Sequence, residues 1–102
     1  MIQQKTTLTR PSADVPWHWD VINRNEHARN LEENYISKGK ILTQYEEIPN
    51  ELTSVWYRFW DNIESYNAYL VDPKVMAYDA AAKSYNDFAG IVISPAEITQ
   101  LN

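Results

Sequence analysis

Apolar and polar side chains alternate along this chain with two periods, about two residues or three to four, and the switches between them mark out the elements. The densest stretch is Thr53–Asp61, TSVWYRFWD, where β-branched and aromatic residues crowd together and predict a strand. Alternation puts Val55, Tyr57 and Phe59 on one face and Trp56, Arg58 and Trp60 on the other. Neither face suits water, so the strand is expected to be covered on both sides.

The other elements are read the same way. Ile2–Thr9 alternates weakly, and its threonines favour an extended first strand that ends at Arg10-Pro11-Ser12. Asp14 and Pro16 read as a helix start. Trp17, Val21, Ala28, Leu31 and Tyr35 then recur at helical spacing as far as Lys38 and Gly39, with an interruption at Asn23–Arg24–Asn25. Ile41–Glu46 predicts a second strand, with Ile41, Thr43 and Tyr45 opposing Leu42, Gln44 and Glu46. Glu47–Leu52 then serves as a hairpin loop. Asp61 and Glu64 have the spacing of a capping box, and Ile63, Tyr66 and Leu70 form the buried edge of the helix that follows. Asp72-Pro73 breaks that helix and starts another, whose stripe of Val75, Tyr78, Ala82, Tyr85 and Ala89 runs to Gly90. Ile91–Ser94 is a short last strand closed by Pro95, and the tail 96–102 is suited to covering a sheet edge.

The order is β-α-β-β-α-β. It predicts an α+β, ferredoxin-like domain spanning 1–102: a four-stranded antiparallel sheet with its helices on one face.

Composition narrows the function classes. With 102 residues, 44% of them hydrophobic, the chain builds one modest core, which a partner subunit would reinforce. The net charge is −5 and the nine Lys and Arg are scattered, so neither nucleic acid nor an anionic membrane is expected as a partner. The lack of cysteine excludes a disulfide scaffold, a Cys-ligated zinc site and a thiol nucleophile. MIQQKTTLTR has no signal-peptide pattern and no apolar run is long enough to span a bilayer, so a soluble cytoplasmic protein is expected.

The element order, together with Trp56-Tyr57-Arg58-Phe59-Trp60-Asp61, then Tyr66 and Leu70, then Asp72-Pro73, resembles the dimeric α/β-barrel proteins of ferredoxin-like fold. These include antibiotic-biosynthesis monooxygenases, haem-degrading monooxygenases and muconolactone isomerases. Arg10-Pro11-Ser12 followed by Asp14-Val15-Pro16-Trp17 also resembles the entry to the first helix of that family. The resemblance implies a homodimer whose sheets meet face to face. Val55, Tyr57 and Phe59 would then face the partner, and Trp56, Arg58 and Trp60 a pocket beneath the helices. Two departures lower the expectation of oxygen chemistry. Ile63–Ala89 contains no histidine, where haem-degrading members carry one, and Ile2–Thr9 contains no asparagine, where monooxygenase members place one. No cofactor and no metal site is expected.

Arg58 is the sharpest candidate, because a charge held between two indoles on a covered face requires a partner. That partner is either Glu46 on the neighbouring strand or the carboxylate of a ligand, which arginine binds through two prongs. The expected pocket is lined by Trp56, Arg58 and Trp60 and roofed by Trp17, Tyr35 and Tyr66. It would suit an elongated, mainly apolar acid resembling a fatty acid. His18 and Asp20 stand two apart on a helix and do not face each other, and His27 lies on the polar side, so both histidines are assigned surface or capping roles. The helix tyrosines Tyr35, Tyr66, Tyr69, Tyr78 and Tyr85 read mainly as packing. No G-x-S-x-G, phosphate loop or Cys–His pair is present.

Three functions compete on this reading. The first is a binding protein or cofactor-free enzyme, a monooxygenase or isomerase, for a small apolar molecule. The second is a structural or regulatory dimer with a filled core. The third is an RNA-binding module, disfavoured by the acidic charge and by a central strand without glycine.

Overall fold

The computed structural model describes residues 1–101. Its elements are β1 (Ile2–Thr9), α1 (His18–Val21), α2 (Glu26–Ser37), β2 (Ile41–Asn50), β3 (Thr53–Trp60), α3 (Ile63–Leu70), α4 (Pro73–Ala89), β4 (Val92–Ile93) and β5 (Glu97–Gln100). The strands form one antiparallel sheet in the order β2-β3-β1-β4, and β5 also pairs with β1. This is the ferredoxin-like arrangement, with its last strand in two pieces. β4 pairs with Leu8 and Thr9, and β5 with Ile2–Lys5. The break falls at Ser94-Pro95, where proline has no N–H for a ladder. Ser94 bridges it: its amide donates to the Thr7 carbonyl at 2.9 Å, and the Thr7 amide donates to the Ser94 hydroxyl at 3.0 Å.

β1 and β3 pair along their whole length, from Ile2 opposite Trp60 to Thr9 opposite Thr53. Residues directly opposite each other share a face, so Ile2, Gln4, Thr6 and Leu8 line up with Trp60, Arg58, Trp56 and Ser54. This face meets the helices. Trp60 is fully buried there, in a core with Ile2, Tyr35, Ile41, Tyr69 and Val75, and Leu31 and Tyr66 pack against it. The rings of Tyr35, Tyr66 and Tyr69 approach the indole edge to face at 6.2, 5.5 and 5.4 Å, and the indole N–H donates to Gln4 Oε1 at 3.0 Å. The opposite face carries Lys5, Tyr45, Tyr57 and Phe59. Tyr45 and Tyr57 stack at 4.8 Å, and the Lys5 ammonium lies 5.9 Å from the Tyr57 ring.

Several boundaries differ from the sequence reading. No helix begins at Asp14. The segment before Trp17 makes an isolated turn instead, the Val15 amide donating to the Ser12 carbonyl at 3.3 Å, and Arg10 Nη1 donates to the Val15 carbonyl at 2.9 Å, taking an acceptor that a first helical turn would need. α1 is a single turn, and the helix restarts at the predicted interruption, where Asn25 Oδ1 caps α2 by accepting from the Ala28 amide at 2.8 Å. α3 is capped by Asn62 rather than Asp61, through a 2.9 Å bond from the Ser65 amide. β2 extends through the expected loop to Asn50, with a register shift between Glu47 and Asn50 that accommodates Pro49. A second shift makes Leu42 an extra residue, so Ile41 lies opposite Trp60 on the helix face instead of sharing the open face with Thr43 and Tyr45. At α4 the reading matches: Asp72 Oδ1 accepts from the Lys74 and Val75 amides at 2.9 and 3.2 Å, Pro73 opens the helix, and Gly90 closes it at φ +78°.

Candidate functional site

The helix-facing surface of the sheet is not wholly filled. Beyond the Trp60 cluster it leaves a cleft of about 590 Å³, within the range of small-molecule sites. Thr6, Leu8, Trp56, Arg58 and Gln44 from the sheet form its floor, together with Ile93 from β4. His18 and Trp19 from α1, Arg24 and Glu32 at and within α2, and Tyr78, Asp79, Ala82 and Lys83 from α4 complete it. An adjoining recess of about 170 Å³ is shared by Gln4, Thr6, Gln44, Trp56, Tyr57 and Arg58.

Arg58 reaches the cleft because it alternates with two tryptophans on β3, and register places Gln44 directly opposite it. Its Nε donates to Gln44 Oε1 at 2.8 Å, and Gln44 Nε2 donates to Glu32 Oε1 at 2.7 Å. The Arg58 Nη2 lies 3.7 Å from the same Glu32 oxygen, and Arg24 pairs with the other. Burial pulls the guanidinium below its usual range, while Tyr69 and Asp79 favour its charge. Glu46 is not its partner. That carboxylate lies opposite Trp56, one step further along the strand, and accepts from the Ser54 hydroxyl.

Of the residues expected at the pocket, Trp56 and Arg58 line the cleft. Trp60, Tyr35 and Tyr66 belong to the core cluster instead, because Ile41, Tyr69 and Val75 close around the indole of Trp60. Trp17 lies outside the lining. It stacks on Trp19 at 5.3 Å under the Arg10 guanidinium, 4.6 Å from its ring. The indole that does reach the cleft from α1 is Trp19, whose ring meets Trp56 edge to face at 5.3 Å. The Trp56 Nε1–H is buried and has no hydrogen-bond partner among the described residues.

His18 is a cleft residue rather than a surface one. Its Nδ1 lies 3.3 Å from Asn86 Nδ2, and burial pulls its pKa below 6.5, while the Asp20 carboxylate favours the charged form. Tyr78 is pushed up by burial. Asp79 is also pushed up by burial, with Arg58 pulling it back. No local pattern could have flagged this group, since His18 comes from α1 and Tyr78, Asp79 and Asn86 from α4, and only the packing of α1 on α4 unites them. His27 keeps its expected exposed position, 3.3 Å from Asp72. Among the described residues, no group of three His, Cys, Asp or Glu side chains is placed to hold a metal ion, and no helix is long and apolar enough to cross a membrane.

No family profile matches the chain, and no curated protein matches it in sequence. Solved structures do share the fold. A mutant of SnoaB, a cofactor-independent oxygenase from Streptomyces nogalater, superposes with a TM-score of 0.61 at 7% identity, covering 98% of this chain and 91% of that one. A dimeric ferredoxin-like protein from an uncultured marine organism gives 0.64 at 11% identity, covering 99% and 94%. A candidate antibiotic biosynthesis monooxygenase from Deinococcus radiodurans gives 0.50 at 18% identity, covering 97% and 88%. At these identities the likeness is one of fold. That fold is the ferredoxin-like one that the sequence resemblance implies.

Proposed function

We propose that the chain binds a planar, oxygen-bearing aromatic molecule in the cleft and oxidises it with dioxygen without a cofactor. The observation that carries the binding is the Trp56 indole N–H, buried in the cleft wall with nothing to donate to. An unpaired buried donor is costly, and a ligand oxygen would relieve it. Trp19, Tyr78, Leu8 and Ile93 supply flat and aliphatic walls. The reaction class rests on the fold shared with a cofactor-independent oxygenase.

The charge balance favours a ketone or phenol over the carboxylate of a fatty acid. Arg58 is already bonded to Gln44, with Glu32 3.7 Å away and Asp79 in its field. An incoming carboxylate would meet these carboxylates as well as the arginine. In the reaction proposed, an activated CH₂ beside the aromatic ketone loses a proton, and the resulting enolate gives electrons to O₂. A C–O bond forms, and loss of water leaves a new carbonyl: CH₂ plus O₂ yields C=O plus H₂O.

The active form in this reading is a homodimer joined through the open sheet face. A dimeric protein of the same fold supports that. Of the residues expected there, Tyr57 and Phe59 remain partly accessible, whereas Val55 is already buried within the single chain and adds little. Tyr45 on β2, 43% exposed, joins the two aromatics in one stacked patch.

Fluorescence titration tests binding, since Trp19 and Trp56 both line the cleft, and an oxygen electrode tests turnover. Micromolar binding of a bicyclic aromatic ketone with oxygen uptake is the expected result. Binding without uptake would make this a carrier. Tighter binding of a long-chain fatty acid would restore the acidic-ligand alternative, and binding of neither would leave a structural dimer.

A further inference from the structure

Asn86 is 2% exposed, an amide in the interior of α4 where a polar group is costly unless it is bonded. Its backbone carbonyl closes the helix by accepting from the Gly90 and Ile91 amides. Its side chain meets a residue far away in sequence, with Nδ2 3.3 Å from His18 Nδ1. A side-chain amide nitrogen only donates, so Nδ1 is the acceptor and the neutral ring carries its hydrogen on Nε2. The ring is held between the edge of Trp19 at 4.9 Å and Tyr78 at 6.1 Å, which fixes its plane. Burial opposes the imidazolium form, Asp20 favours it, and Tyr78 on the facing helix is itself uncharged at neutral pH.

We propose that His18 and Trp56 form a pair of neutral N–H donors that hold the oxygen atoms of a planar aromatic ketone or its enolate, with Asn86 as the positioning residue that fixes the His18 tautomer. The assignment rests on the cleft being a small-molecule site. It goes further by naming the groups that select the ligand. The three cations nearby are spoken for, Arg58 by Gln44 and Glu32, Arg24 by Glu32, and Lys83 by Asp87 at 2.8 Å. The Trp56 indole N–H, which has no partner among the described residues, and the His18 imidazole N–H are neutral donors on the cleft wall that a ligand oxygen can use. Trp19 touches both rings, at 4.9 Å to His18 and 5.3 Å to Trp56, so the two donors border one aromatic wall. Neutral donors fixed in place stabilise charge that develops on a carbonyl oxygen as a neighbouring proton leaves, without first attracting a full anion.

Two measurements test the assignment. The ¹⁵N shifts of the His18 ring in labelled protein above pH 7 should show hydrogen on Nε2; hydrogen on Nδ1 overturns the proposal. In the second, 1-tetralone, which only accepts hydrogen bonds, is titrated against tetralin, its hydrocarbon counterpart. The parent should prefer the ketone. His18→Phe should weaken ketone binding by roughly two- to twelvefold, the range for one neutral hydrogen bond, and leave tetralin within about twofold. His18→Gln, which keeps an N–H donor, should recover part of the loss. Equal losses for both compounds in His18→Phe overturn the donor role while leaving the pocket reading standing. Failure of the parent to bind either compound overturns the pocket reading itself, and the donor pair with it.

Discussion

The Arg58 guanidinium meets Glu32 at 3.7 Å across the gap between β3 and α2, and Gln44 bonds to both. Arg24 closes on the same carboxylate from the other side. One buried acid therefore balances two arginines at the polar end of the cleft, and this arrangement decides what the cleft will accept.

Glu32→Gln should cost about 1–2 kcal/mol in urea unfolding. That is less than the loss for a fully buried pair, because the two arginine side chains remain 38% and 25% exposed. It should also free Arg58, so a medium-chain fatty acid that binds the parent weakly should bind the variant more tightly. Unchanged stability together with unchanged fatty-acid binding would show that the carboxylate does not restrain Arg58.

The two tryptophans that flank Arg58 should behave differently. Trp60 is fully buried and its N–H is bonded to Gln4. Trp60→Phe should therefore cost about 2–4 kcal/mol through lost packing and an unpaired amide oxygen. Trp56→Phe deletes an unbonded buried N–H and should leave the unfolding midpoint almost unchanged, while weakening a ketone ligand. Equal destabilisation by both would place Trp56 in the core.

The pH dependence of stability carries the signature of His18. Its folded pKa lies below 6.5 because burial opposes the charge. As pH falls through 6.5 the unfolded chain takes up a proton that the folded chain resists, so stability declines from there downward. Asp79 works in the other direction. Burial raises its pKa above 3.8, so it erodes stability as pH rises from that value. Thermal melts between pH 5 and 7 should show a slope that His18→Gln flattens; an unaltered slope would assign it to another group.

Tyr57→Glu tests the assembly. In a single chain the new carboxylate would lie near the Lys5 ammonium and leave the fold intact. In a face-to-face dimer it would bury a charge against the partner's aromatics. Light scattering should show a dimer for the parent and a monomer for the variant at micromolar concentration, with unchanged circular dichroism. A monomeric parent would rule out the barrel.

The element order along the chain, the Asp72-Pro73 start and the Gly90 stop were legible because each is set by neighbours within a few residues. The bulge at Leu42 was not, since an extra residue changes the face without changing the composition. The shift of the α3 cap by one position was hidden for a similar reason: Asp61 and Asn62 are both good caps, and Asp61 Oδ1 instead accepts from the Asn62 amide. In the cleft, Trp56 and Arg58 were visible from alternation on one strand. Glu32, Gln44, His18 and Asn86 were not, because their meeting depends on register between strands and on how α1 lies against α4.

The interrupted last strand also bears on how copies of this chain can associate. One edge of the sheet consists of two short pieces separated at Pro95. The other edge, β2, carries Pro49 and two irregularities in register. Edges that are broken, as at β4 and β5, or bulged and proline-marked, as at β2, are poor templates for adding a further strand, so growth edge to edge, which has no natural end, is disfavoured on both sides. The stacked rings of Tyr45, Tyr57 and Phe59 lie on the flat face instead, where a two-fold pairing consumes the surface and stops. The same chain thus discourages fibres while leaving a closed pair open to it.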